Sequence, residues 1–135
     1  MKAKSKVKPK RGFTIDRRIW YRGEDGGSYL YRSEDRKQCC VGIYLRACGV
    51  AVKDVRDQTT AARMVEEGGV IPSRAGWLND LSGEWPASST AASMLYAIND
   101  AAKEAGREQR LASIFARHGE TVRFIGPKRK AAPKR

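Results

Sequence analysis

Residues 38–48 leave a helix almost no side to show to water. Cys40, Ile43, Tyr44 and Ala47 recur at the i, i+3, i+4, i+7 spacing of one helical face, and Val41, Leu45 and Cys48 add a second apolar stripe. A surface helix needs only one such stripe. The segment is therefore predicted to be the buried centre of the domain. Gly49 is placed to stop it, because glycine enters the left-handed conformation without a Cβ penalty.

The rest of the body supplies pieces to cover that helix. Thr60 is expected to cap a short helix through Val65 that ends at Gly68 and Gly69. A further helix is predicted over 88–99 with Met94, Leu95 and Ile98 inward, and another over 107–118 with Leu111, Ile114 and Phe115 as its core face and Gly119 as its stop. Alternation marks Phe13-Thr14-Ile15 as a strand. Residues 28–32 read as a second strand, and 121–125 as a third with Val122 and Phe124 on one face. The glycines and acids of 23–27 mark a turn between the first two. The expected fold class is α+β: one small antiparallel sheet of about three strands packed with three to five helices, in a single domain over 12–126.

Charge lies outside that domain. Eleven of the net twelve positive charges sit at the two ends, and the body is left near +1. Residues 1–11 carry Lys2, Lys4, Lys6, Lys8, Lys10 and Arg11, and residues 127–135 carry Lys128, Arg129, Lys130, Lys134 and Arg135, with no acid in either segment. Lysine alternating with Ala, Ser, Val and Pro cannot bury enough apolar surface to offset ordering, so both ends are expected to be disordered arms. Such arms bind phosphate backbones, DNA or RNA, by displacing counterions, without reading sequence. The blander readings are a solubility aid, or a surface for membrane or acidic protein; a nuclear import signal at 127–130 is a further one. No stretch approaches the roughly 18 apolar residues that span a bilayer, and residues 1–11 lack the apolar run of a signal peptide. Three cysteines, two of them adjacent, do not read as a disulfide framework; the expectation is a cytoplasmic protein, without a membrane partner.

Candidates for site chemistry are few. Cys39, Cys40, Cys48 and His118 reach the ligand count of a zinc site, but adjacent helical residues point about 100° apart and no Cys-x-x-Cys pair occurs. A thiol on an apolar helix has its pKa raised and is inert, which argues against a Cys/His nucleophile. Residues 23–27 lack the Gly-Lys-Ser/Thr ending of a phosphate loop, and Asp16, Glu24, Asp25, Asp35 and Asp100 have no metal-nuclease spacing. No catalytic residue, metal or cofactor is assigned. Arg17, Arg18 and Arg22 beside Trp20, Tyr29 and Tyr31 are the parts of a single-strand platform, in which rings stack on bases and guanidiniums hold phosphates. The same rings are what a small sheet uses to cover its core. Trp20 is read as core, and Tyr29 and Tyr31 stand evenly between core and surface.

Several pieces of the body, in order, resemble a family of small uncharacterised accessory proteins of bacteria and their phages. They are Phe13-Thr14-Ile15-Asp16, Trp20-x-Arg22-Gly23, Ser28-x-Leu30, Cys39-Cys40-Val41-Gly42 with Cys48-Gly49, Ile98-Asn99-Asp100, and the closing helix with Phe115 and Gly119. The resemblance implies a phage or mobile-element context and lends no activity. Its motifs serve either a role of the body or the fold itself, as a tryptophan plug, a turn and a helix cap. The expectation is a non-enzymatic accessory protein that associates with nucleic acid through its arms. The alternatives are a protein-binding module that inhibits or redirects a host factor and, third, an enzyme.

Overall fold

The computed structural model describes residues 11–22, 29–78, 91–100 and 106–127. The first strand, β1 (Arg11–Asp16), is followed by α1 (Cys40–Ala47), α2 (Val52–Val55) and α3 (Ala61–Glu66). A 3-10 segment (Ser73–Leu78), α4 (Ala91–Asn99), α5 (Arg107–Arg117) and β2 (Glu120–Ile125) complete the order.

As its two stripes demand, α1 is the centre. Every residue from Cys40 to Leu45 is buried, Gly49 follows the helix at φ +106°, and only Arg46 and Ala47 of its last turn reach water. The helix also passes hard against another chain segment. A Cβ built on Gly42 would lie 1.8 Å from the backbone oxygen of Leu30, so no larger residue fits there without moving backbone.

α5 turns Leu111, Ile114 and Phe115 into the core as its spacing predicts and stops at Gly119, φ +82°. Thr60 caps α3, its side chain accepting from the Arg63 N–H. On α4, Leu95 is fully buried and Ile98 half-buried. Met94 departs from its expected inward place and stays 38 % exposed.

The sheet confirms the α+β class and corrects its finer description. Among the described residues it has two strands rather than three, and they are parallel, from Arg11 opposite Glu120 to Asp16 opposite Ile125. A parallel pair needs a long crossover, and here nearly the whole body supplies it. The pairing sets Phe13 beside Val122 and Ile15 beside Phe124 on the inner face, where Phe13 also meets the rings of Tyr44 and Phe115 at about 5 Å. The middle strand candidate forms no ladder: Tyr31 bridges Arg56 and Arg32 bridges Lys37, each singly. Its aromatics pack instead of pairing, the Tyr29 ring standing edge-on to Tyr21 at 5.8 Å. Ser28, the 23–27 turn and the 88–90 start of the α4 helix lie outside the described residues. Among those described, no helix is long and apolar enough to cross a membrane.

Candidate functional site

Among the described residues, two buried polar knots and a cleft bring polar side chains together. The first knot is built on Asn99, the last residue of α4, which is 0 % exposed. Its Oδ1 accepts from Trp20 Nε1 at 2.7 Å and from the Cys40 backbone N–H at 3.0 Å. Its Nδ2 donates to the Tyr21 carbonyl at 2.9 Å and to Asp100 Oδ1 at 2.8 Å. The first N–H groups of a helix have no internal acceptor, and Cys39, the N-cap of α1, makes no side-chain cap. Asn99 therefore caps α1 from another helix. Trp20 is buried completely, and the Arg22 guanidinium lies 4.1 Å from its ring centroid. Trp20 is a core plug, and Arg22, 5 % exposed, is folded onto it.

The second knot ties α1, the 3-10 segment and β2. Glu120 is 2 % exposed and receives Arg74 through both oxygens, Nε to Oε2 at 3.0 Å and Nη2 to Oε1 at 2.9 Å. Tyr44 donates its hydroxyl to Glu120 Oε2 at 2.6 Å and accepts from Trp77 Nε1 at 2.8 Å. Burial by itself would raise the Glu120 carboxyl; the bonds from Arg74 and Tyr44 outweigh it and hold the group below its ordinary value. Burial, and then the carboxylate, push the Tyr44 hydroxyl up. Arg74 also donates to the Gly12 carbonyl at 3.2 Å, so the knot reaches β1. Bidentate charge-assisted bonds of this kind fix geometry. These fix the start of both strands.

The cysteines and histidine considered for metal or nucleophilic chemistry are distributed around these knots. Cys39 and Cys40 are both fully buried, and desolvation pushes the Cys39 thiol up to about 12 and that of Cys40 well above the usual thiol range. Cys48 is half-buried beyond the end of α1, its thiol also raised by burial. His118 follows α5, exposed and stacked on Trp77 at 4.3 Å. No group of three or more metal-ligating side chains gathers among the described residues.

The arginine and tyrosine surface is not one platform. Arg17 holds Glu108 through Nε and Nη2 at 2.8 and 2.9 Å and donates to the Gly126 carbonyl, latching α5 and the end of β2. Arg18 is exposed but clasps Asp16, and Arg22 is buried as described. Tyr29 and Tyr31 are each half-buried. Tyr29 lines a cleft of about 340 Å³ with Arg32, Ser33, Glu34 and Asp57. There Ser33 N and Oγ donate to the Asp57 carboxylate and depress its pKa, in a turn where Asp57 itself sits at φ +59°. Acid and base are mixed in this cleft, so it offers no single charge to a ligand.

Of the arm residues only Arg11 is described, and it is the exposed first residue of β1 rather than part of a tail. Lys2, Lys4, Lys6, Lys8, Lys10, Lys128, Arg129, Lys130, Lys134 and Arg135 lie outside the described residues. Asn99, Glu120 and Arg74 carried no sequence signal of their own beyond the helix-cap alternative for 98–100. Three comparisons with known proteins find no match: no family model, no curated protein and no solved structure is similar to this chain.

Proposed function

We propose that this protein is a non-enzymatic accessory protein, of phage or mobile-element origin, that associates with nucleic acid through its two basic ends without reading sequence. The observation that carries the reading is the segregation of charge: eleven cations and no acid in the end segments, against a body near neutrality. A body whose charge is balanced has little non-specific affinity of its own, whereas each cation at the ends releases a condensed counterion when it meets a phosphate. The two buried knots support the non-enzymatic part. Their polar atoms are spent on one another in fixing α1 and the strands.

Binding to duplex DNA is expected to weaken with salt on a log–log slope of roughly −4 to −8, since about −0.9 accrues per phosphate neutralised and not every cation engages at once. Replacing the ten end cations other than Arg11 with glutamine, in the full chain, is expected to flatten that slope and abolish most binding while leaving the circular dichroism spectrum unchanged. A charge-stripped chain that binds duplex as well as the wild type would overturn the proposal. A partner retained from lysate after nuclease treatment would favour the protein-binding alternative.

A further inference from the structure

Because β1 and β2 run parallel, the chain enters the sheet at Arg11 and leaves it at Pro127 from opposite ends. An antiparallel pair would have brought both to one end. Six residues at about 3.3 Å each set the two ends roughly 17–20 Å apart. Between them lies the sheet's outer face. Phe13, Ile15, Val122 and Phe124 turn inward, which leaves Thr14 on β1 and Thr121, Arg123 and Ile125 on β2 exposed.

Among the described residues, the two strands place one cation without a carboxylate partner on this face, Arg123. Arg123 sits opposite Thr14 in the register and makes no hydrogen bond or ion pair among the described residues. The strands contribute two carboxylates. Glu120 faces the interior on Arg74, and Asp16 is neutralised by Arg18, whose Nε and Nη2 reach its oxygens at 3.0 and 2.8 Å. Arg11, also exposed, shares the alternation of Phe13 and Ile15 and so lies on the other side of the strand, where its charge acts on Glu120. A cation flanked by hydroxyls, with no unpaired carboxylate beside it among the described residues, is what contacts to a phosphodiester backbone consist of.

We propose that the outer face of the β1–β2 pair is a third nucleic-acid contact, in which Arg123 holds a backbone phosphate lying between the stretches engaged by the two ends. The Thr14 and Thr121 hydroxyls flank that phosphate. The inference rests on the reading that the ends bind nucleic acid, and it adds a contact on the folded body.

The test is the salt dependence of binding to a 24-base-pair duplex by the full chain, compared with Arg123→Ala, Arg123→Glu and Lys53→Ala. Lys53 is an exposed cation on α2, away from the sheet face. Arg123→Ala is expected to make the slope shallower by about 0.9 and to weaken binding roughly fivefold to tenfold at 0.1 M salt, with Arg123→Glu weaker still and Lys53→Ala like the wild type. The Arg123 side chain has no partner among the described residues, so both variants should keep the wild-type melting temperature, which removes misfolding as an explanation. If Arg123→Ala and Arg123→Glu keep the wild-type slope and affinity, the outer face is not a contact and the inference fails while binding through the ends stands. If the unsubstituted chain shows no salt-dependent binding, the underlying reading fails instead. A loss in Lys53→Ala equal to that in Arg123→Ala would also overturn the inference, because the effect would then be one of net charge rather than of this face.

Discussion

Asn99 is the residue on which the most separate pieces of chain depend, and its removal should be felt out of proportion to its size. Asn99→Ala strands two buried donors, Trp20 Nε1 and the Cys40 N–H, and leaves the Tyr21 carbonyl without the Nδ2 donor. A buried donor left without its partner costs about 1–3 kcal/mol. Two donors, together with the loss of the external cap on α1, add up to roughly 3–5 kcal/mol, a large part of the 5–15 kcal/mol that typically holds a domain together. Asn99→Asp is the sharper variant. It keeps an oxygen for Trp20 and Cys40 but loses the amide donor, and it sets a second carboxyl beside Asp100. Burial and the like charge both raise the new group's pKa above its ordinary value of about 3.9. A carboxyl whose folded pKa is raised stabilises most fully below its unfolded pKa and loses that contribution as pH rises through the folded one. The deficit of Asn99→Asp against wild type should therefore grow from pH 5 to pH 8, while that of Asn99→Ala stays level. Urea unfolding followed by far-ultraviolet circular dichroism at both pH values measures this. An Asn99→Ala protein within about 0.5 kcal/mol of wild type would refute the capping role. An Asn99→Asp deficit that shrinks toward pH 8 would refute the account of its electrostatics.

Two further outcomes follow from close contacts elsewhere. Gly42→Ala drives a methyl group into the Leu30 backbone, which cannot yield as a side chain would, and should cost about 3 kcal/mol or more in denaturant unfolding; a neutral result would mean that α1 and the 30s segment are farther apart than described. Glu120→Gln removes the charge opposite Arg74 and should cost roughly 2–3 kcal/mol, less than a fully buried pair because Arg74 remains partly exposed. The folded pKa of Glu120 is lowered, so its contribution is present above about pH 4.5 and lost as pH falls through the folded value. The melting temperature of the wild type should accordingly fall on acidification below about pH 4.5, and that of Glu120→Gln should fall less steeply.

What was legible in the sequence was what short-range pattern encodes. The double stripe of α1 and the single stripe of α5 predict both burial and extent, and Gly49 and Gly119 mark their stops because the conformational demand is local. Alternation found β1 and β2 but carries no direction: a six-residue strand reads the same whether its neighbour runs with it or against it. The choice of parallel pairing is made by residues more than 100 positions apart. Asn99 illustrates the same limit on the side of the site. Its neighbours announce a helix end, yet its partners are 79 and 59 residues away in sequence. Arg17 and Arg22 looked like surface because arginine usually is; Glu108 and the Trp20 ring, both remote from the local pattern or turned inward by it, draw them in.

The parallel sheet is also where folding and the proposed binding meet. It joins the first described strand to the last, and it closes only when the helices between them are in place. In the proposed reading, a polyanion that grips only the ten end cations other than Arg11, without touching the sheet, would have equal affinity for folded and unfolded chain. Such a ligand shifts the folding equilibrium by nothing, however tightly it binds. The outer face differs in kind. Arg123 stands opposite Thr14, with Asp16 already neutralised, only when β1 and β2 are paired. Whatever stabilisation a duplex confers on the fold would therefore come through the sheet and not through the ten end cations outside it. In the proposed reading, then, the ends would supply most of the affinity, and Arg123 would couple that affinity to the folded state.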